Sequence, residues 1–347
     1  MTRLARGRAV RSPVRSRRLR RPAAALGLLA LLAAGCAKNA PMDTLDPEGP
    51  NARTIDNLIN PVFIVAAVIF VLVEGMVLVF TLRYRHRDDA PEPVQVHGNT
   101  KLEVGWTLVP ALILVAVAIP TIATIFKLAQ KPKDAINVTV TARQFWWEYN
   151  YPDLGVVTAN ELHMPTGRKL ELTLQGADVI HSFWVPKLTG KTDVVPGRQN
   201  HMNISADKPG IYLGQCTEFC GLSHANMRLK AIVHTPADFD AWVASQRQGP
   251  STPAPGSPAA AGAELFTSKG CGGCHTVEGV SRGRVGPNLT HFASRTSFAG
   301  SMFEMNAENI AEWLRDPPGV KPGSKMPDLN LSADETTKLV AYLQSLR

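Results

Sequence analysis

Cysteine is scarce in this chain of 347 residues. The five present, Cys36, Cys216, Cys220, Cys271 and Cys274, fall as one isolated thiol and two close pairs. Such a number and spacing do not make a disulfide framework and suit cofactor ligation better. Surplus charge is also scarce. The formal net charge is +8, yet Arg3, Arg6, Arg8, Arg11, Arg15, Arg17, Arg18, Arg20 and Arg21 crowd the extreme N-terminus. Outside that arm basic and acidic residues nearly balance, so no basic recognition surface and no nucleic acid partner are expected. The length leaves room for two or three modest domains.

The arginine arm, the apolar run Ala23 to Ala34 and Gly35-Cys36 read as the n-region, h-region and cleavage site of an export signal over residues 1–36. The run is too short to span a bilayer. Small residues before a cysteine resemble a bacterial lipoprotein signal, which puts a lipid on Cys36; an uncleaved or simply secreted N-terminus is the alternative. Residues 37–60 then form an extracytoplasmic segment.

Pro61 to Leu82 and Trp106 to Phe126 each supply about the 20 apolar residues a spanning helix requires. Arg83, Arg85 and Arg87 directly follow the first run, so the positive-inside rule places the loop 83–105 in the cytoplasm and both chain ends outside. Glu74 lies within the first span, where an ionisable group is costly and must find a polar partner or stay protonated.

From 136 to 246 the pattern changes to short alternating runs such as INVTVTARQFWWEYNY and RKLELTLQ, separated by Pro-Gly and Pro-Thr-Gly turns. This predicts an antiparallel sandwich or barrel of roughly 100 residues, closed by a short helix at 236–246. Residues 247–262, rich in Pro, Ala, Gly and Ser, read as a mobile linker. Beyond it, 263–347 carries helical stretches at 263–269, 307–315 and 332–346, a compact all-helical module.

Cys216-Thr-Glu-Phe-Cys220-Gly-Leu-Ser-His224-Ala-Asn-Met227 packs two thiols, an imidazole, a thioether and a carboxylate into twelve residues. Soft sulfur ligands with imidazole select copper, whereas a structural zinc site takes four Cys or His ligands and leaves the methionine unused. His181, in DVIHSFWVP, is the second imidazole that an earlier strand can bring to the same loop. Two cysteines four apart can bridge two metals that share charge through the sulfurs. The alternative is a Cys216–Cys220 disulfide with His224 and Met227 as packing residues. His163, His201 and His234 read as structural.

Cys271-Gly-Gly-Cys274-His275 is the haem c attachment signature: two thioether bonds fix the porphyrin and His275 supplies the proximal ligand. The distal ligand is expected at Met326 in KPGSKMPD, since a thioether keeps the iron six-coordinate and raises its potential. Met302 and Met305 compete on chemistry. Trp313 is expected to pack against the haem.

The spacing C-x-E-x-C-G-x-x-H-x-x-M with HSFWVP upstream resembles the CuA domain of cytochrome c oxidase subunit II, a likeness running from the membrane hairpin to residue 246. The loop around Met326 and GPNL at 286–289 resemble small class I cytochromes c. Together they imply a caa-type haem-copper oxidase subunit. Its fold class is a multidomain membrane protein: a two-helix transmembrane hairpin, an all-β cupredoxin (Greek-key sandwich or barrel) and an all-α cytochrome c domain.

The resemblance implies that Cys216 and Cys220 bridge two coppers, that His181 and His224 cap them, that Met227 is the weak ligand and that Glu218 binds through its backbone carbonyl. Glu218's side chain would also reach a magnesium or manganese ion shared with subunit I. In QFWWEY, Phe145, Trp146 and Trp147 are candidates for the place where electrons enter; Phe145 stands where the family often has Trp, and strand packing is the alternative. Asp178, Asp193 and Arg198 match family positions near the copper or the subunit I interface. Glu103 matches a glutamate at the mouth of a proton pathway, the alternative being a helix-start carboxylate stabilised by the helix dipole.

The implied partners are oxidase subunits I and III, cytochrome c or another upstream donor, and membrane lipid, in a bacterial inner membrane with both redox domains outside. The implied activity is relay of electrons from haem c through CuA to subunit I, where dioxygen is reduced and protons are translocated. A CuA-type nitric oxide reductase small subunit and a free-standing membrane-anchored electron carrier are the alternatives. Quinol oxidases keep this fold without the copper ligands and are disfavoured.

Overall fold

The computed structural model of the chain describes residues 40–85 and 94–347. The expected export signal with Cys36, and Arg87 of the loop, lie outside the described residues.

Two long helices open the described chain, α1 (Pro50–Arg83) and α2 (Thr100–Leu128), both long and apolar enough to cross a membrane. At 1.5 Å per residue α1 is about 51 Å long against a hydrocarbon core of about 30 Å. It therefore starts well before the apolar run at 61–82. Its first turns belong to the soluble side: the Asn51 amide donates to the Asn203 carbonyl at 2.7 Å and to its Oδ1 at 3.0 Å, and Arg53 pairs with Asp207 at 2.5 Å. The helix is thus rooted in the domain it carries. Asn99 caps α2 by accepting the N–H groups of Lys101 and Leu102, while Glu103 Oε1 accepts the N–H of Asn99 at 3.2 Å. Lys127, at the end of α2, donates to Thr54 Oγ1 at 3.5 Å, which sets the two helices antiparallel.

The next domain is a sandwich of two five-stranded sheets. One runs β3-β2-β1-β5-β8 and the other β4-β10-β9-β6-β7, with β1 (Ile136–Arg143), β2 (Trp146–Tyr151), β3 (Val156–Ala159), β4 (Glu161–Pro165), β5 (Leu170–Gly176), β6 (His181–Trp184), β7 (Thr192–Val194), β8 (Asn200–Ile204), β9 (Gly210–Cys216) and β10 (Arg228–His234). The sheets are mixed, not purely antiparallel as alternation alone suggested: β1 pairs parallel with β5 and β4 parallel with β10. Alternation reports which face is buried, and it is blind to strand direction. Val138, Val140 and Ala142 of β1 meet Leu229, Ala231 and Val233 of β10 in one core. α3 (Pro236–Gln246) packs Phe239 and Val243 onto it.

The C-terminal domain is built on α4 (Pro258–Ser268), α5 (Ala307–Arg315), α6 (Pro317–Val320) and α7 (Ala333–Ser345). α4 begins inside the stretch expected as linker. Ser257 caps it and Pro258 opens it, so the connection shortens to about ten residues. α4 and α7 cross closely at Gly262, where a Cβ would collide with the backbone of Lys338. The module is not purely helical: two-residue ribbons pair Thr276–Val277 (β11) with Ser281–Arg282 (β12), and Ser297–Phe298 (β13) with Phe303–Glu304 (β14).

Candidate metal centre and haem cavity

β9 ends at Cys216 and β10 begins at Arg228, so the connecting loop carries Cys220, His224 and Met227 back over the sandwich end. β6 pairs beside β9 with Phe183 opposite Cys216, which brings His181 to the same place from 35 residues away. Cys216 Sγ lies 3.8 Å from Cys220 Sγ, 3.8 Å from His181 Nδ1 and 3.2 Å from the Glu218 carbonyl. Cys220 Sγ lies 3.6 Å from His224 Nδ1 and 3.8 Å from Met227 Sδ. Each thiol thus has one imidazole and one weaker donor beside it. His181 and Met227 are fully buried.

The disulfide alternative is set aside, since both thiols are free and 3.8 Å far exceeds a sulfur–sulfur bond of about 2.05 Å. Two sulfurs that close can both touch one metal ion, or two side by side, because a metal–thiolate bond of about 2.3 Å is more than half their separation. The donor set therefore fits copper. His181 Nε2 donates to Asp178 Oδ1 at 2.8 Å; the carboxylate fixes the tautomer that leaves Nδ1 free to face the sulfurs. The Cys220 S–H pulls the Cys216 thiol far below its ordinary range against the effect of burial, and Cys220 is pushed up in return.

Among the described residues, His181, Cys216 and Cys220 are the only group of three or more His, Cys, Asp or Glu with converging ligand atoms. Glu218's side chain is exposed and has no such companions, so this chain alone lends no support to a magnesium or manganese site. Asp193 and Arg198 are exposed near β7. Phe219 and Leu222, 77% and 82% exposed, flank the copper loop, and nothing in the strand pattern flagged them.

A cavity of about 280 Å³ lies between the C-terminal and copper domains, with Cys271, Cys274, His275, Trp313 and Met326 on its C-terminal side. His275 Nδ1 donates to the Pro287 carbonyl at 2.8 Å, leaving Nε2 as the free ligand nitrogen. Its ring lies against Gly286, where any Cβ would strike it. Trp313 Nε1 donates to Met326 Sδ at 3.2 Å. Two thiols at attachment spacing, one directed imidazole and a thioether lining the same cavity fit a covalently bound haem. Met302 and Met305 are not on that wall.

The other wall belongs to the copper domain: Arg143, Gln144, Phe145, Trp146, Asn160 and Asp178. The three aromatic candidates therefore separate. Phe145 and Trp146 face the cavity, while Trp147 points into the sandwich core, edge-on to Phe183 at 5.4 Å and to His181 at 6.1 Å. Gln144 Nε2 donates to the Cys220 carbonyl at 2.6 Å, so one residue joins the cavity wall to the copper loop.

His163 and His234 pack away from both sites. His163 stacks on Trp242 at 4.1 Å, and its Nδ1 is 2.9 Å from His234 Nε2. Burial holds both below the ordinary 6.5, with Glu161 opposing the shift at His163 and Asp238 opposing it at His234; Arg295 adds to the lowering at His163. An unfolded chain would take up protons there that the folded one refuses, so stability rises with pH in this window. The copper domain is expected to lose thermal stability as pH falls through 6.5, and His234→Gln is expected to flatten that slope. A thermal midpoint indifferent to pH between 7 and 5 would contradict this account.

Three family models match the chain: "Cytochrome C oxidase subunit II, transmembrane domain" over 37–124, "Cytochrome C oxidase subunit II, periplasmic domain" over 156–234, and "Cytochrome c" over 259–347. Cytochrome c oxidase subunit 2 of Alkalihalophilus pseudofirmus is 39% identical over 331 residues, covering 93% of this chain and 96% of the relative. That of Bacillus subtilis is 35% identical, covering 93% and 96%. Quinol oxidase subunit 2 of Bacillus cereus is 32% identical but covers only 63% of this chain and 77% of its own length.

Proposed function

The chain belongs to the cytochrome c oxidase subunit II family, and from that premise we propose that its copper and haem domains act as a single relay feeding electrons to dioxygen reduction in a partner subunit. The observation that carries this is the convergence of two thiols, an imidazole and a thioether of the loop 216–227 with His181 from β6, beside a haem cavity whose far wall is the copper domain itself. When bound, the haem and the copper pair supply one-electron chemistry.

The chain's own residues hold and orient. Cys271 and Cys274 would tether the haem and His275 and Met326 would hold its iron, with Pro287 turning the imidazole and Trp313 the thioether. Cys216, Cys220, His181, His224, Met227 and the Glu218 carbonyl would hold copper, with Asp178 turning His181 and Gln144 bracing the Cys220 carbonyl. The buried Met227 keeps water from that side of the sulfurs. No residue here supplies a dioxygen-reducing site; that belongs to the complex.

The two membrane helices and the periplasmic-domain match place the protein in a bacterial inner membrane with both redox domains outside. On this reading subunit I docks beneath the copper loop, where Phe219 and Leu222 are exposed and Glu218 could meet subunit I carboxylates around a magnesium or manganese ion. Glu103 lies at the cytoplasmic start of α2 as a proton-path candidate, although its carboxylate also closes the helix cap. Subunit III, membrane lipid and an upstream cytochrome c or equivalent donor complete the partners.

The purified complex is expected to consume oxygen and to contain copper, covalent haem c and a high-spin haem in a partner subunit. Nitric oxide turnover without oxygen turnover would replace this reading with a nitric oxide reductase. A two-centre protein with no partner would make it a free-standing carrier.

A further inference from the structure

Buried charges stand on both sides where the haem domain meets the copper domain: Glu161 on the copper side, Lys321 and Arg295 on the haem side. Glu161, at the start of β4 and fully buried, points Oε1 into the β13 corner of the haem domain. There it accepts the N–H groups of Thr296 and Ser297, both at 2.9 Å, and their hydroxyls at 2.6 and 3.1 Å. In the opposite direction Lys321, only 3% exposed, reaches out of the haem domain and donates to the Phe145 carbonyl at 2.7 Å, and to Ala299 of its own domain at 2.7 Å. Between them Arg228 donates its N–H to the Gly300 carbonyl at 3.1 Å. At Gly300, with φ +75, an added Cβ would press on the Asn226 carbonyl and Lys321 Nζ at 2.5 Å.

A buried charge is tolerated only while its hydrogen-bond partners stay in place. Glu161 has four donors and Lys321 two carbonyls, and for each charge the cross-domain partners exist in one relative register of the domains. The exposed pair Lys325–Asp178, at 3.3 Å, is of the kind that salt screens and that contributes little. A tethered shuttle that docks transiently would use pairs of that second kind.

We propose that Glu161 and Lys321 are positioning residues that lock the haem domain onto the copper domain in a single register, making the two a fixed electron-transfer unit. The proposal rests on the relay reading. The peptide that Lys321 grips is the one that lines the haem cavity, and Gln144, next to it, holds the Cys220 carbonyl. Any slip between the domains would therefore move the cavity wall against the copper loop. Because the contacts of Glu161 Oε1 and Lys321 Nζ are buried and so screened little by salt, electron transfer between the domains is expected to be insensitive to ionic strength.

The test is made on the whole oxidase complex, with a site-specific protease sequence inserted in the exposed connection between Gly249 and Gly256. After cleavage, haem retained by the complex is measured through dilution and high salt, together with the haem-to-copper electron-transfer rate. The wild type is expected to keep its haem domain and a salt-independent rate. Lys321→Met and Glu161→Ala are expected to weaken docking roughly 30-fold or more, with copper absorption unchanged. Thr296→Val with Ser297→Ala, which removes two of the four donors to Glu161 and the Lys230 Nζ contact at Thr296 Oγ1 (2.9 Å) while changing no copper-domain residue, is expected to shift retention in the same direction by less. Lys338→Gln, in the remote pair with Asp334, is expected to change nothing. Loss of the wild-type haem domain after cleavage, or full retention in both Lys321→Met and Glu161→Ala, would overturn the lock. Absence of haem or copper absorption from the uncut wild type would instead overturn the relay reading.

Discussion

Replacing Cys220 with serine is expected to remove the near-infrared mixed-valence copper absorption and to leave the haem c spectrum in place. Oxygen consumption by the complex should fall by more than about 100-fold, since even the partners standing behind a metal ligand are worth about 10–100-fold. The argument is geometric. Cys220 Sγ is the centre of its half of the site, within 3.8 Å of Cys216, His224 and Met227. A serine oxygen is a hard donor that stays protonated at neutral pH, and copper in a soft site prefers thiolate. Removing one sulfur therefore leaves neither a bridge nor a substitute for it. Cys216→Ser should act alike, because the remaining thiol has a partner set on one side only. The haem domain is spared, since it has its own core, against which Cys271 packs. Persistence of the near-infrared band in either variant would refute the ligand assignment.

How much of this site was readable in the chain depends on sequence distance. Cys216 to Met227 form one loop, so ligand types and spacing were on view together. His181 was legible only through its own motif, because its approach to Cys216 depends on β6 pairing with β9. The separation of Trp146 from Trp147 follows from the twofold alternation of a strand, which gives opposite faces but does not say which face meets a neighbouring domain. The parallel pairings of β1 with β5 and β4 with β10 are consequences of long crossovers and leave no local mark. The start of α4 did leave one: Ser257 as cap, Pro258 at the first turn and three alanines are helix-opening signals, and composition outweighed them. Glu161 and Lys321 had no signal at all. Their partners lie 135 and 176 residues away, and a lone charged residue in a polar context reads as solvated surface.

The second large effect is expected at the haem. Met326→Ala should convert a low-spin, six-coordinate iron into a high-spin one. The midpoint potential should drop by on the order of a few tenths of a volt, within the roughly 0.8 V that axial ligands span. Met326 is the one methionine on the cavity wall, and Trp313 Nε1 donates to its sulfur at 3.2 Å. That contact holds the thioether in one rotamer and keeps a lone pair available for the iron. Met305 packs at the edge of the domain core, and Met302 bonds through its backbone to Phe298; Met302→Leu and Met305→Leu are therefore expected to leave spin state and potential as they are. A potential lowered this far makes the step from haem to copper more favourable. It also makes the haem a poorer acceptor from the upstream donor, so turnover should become limited by electrons arriving, with the copper absorption intact. Redox titration and spin-state spectra of the three variants decide the matter, and a low-spin, unshifted Met326→Ala would move the axial ligand elsewhere.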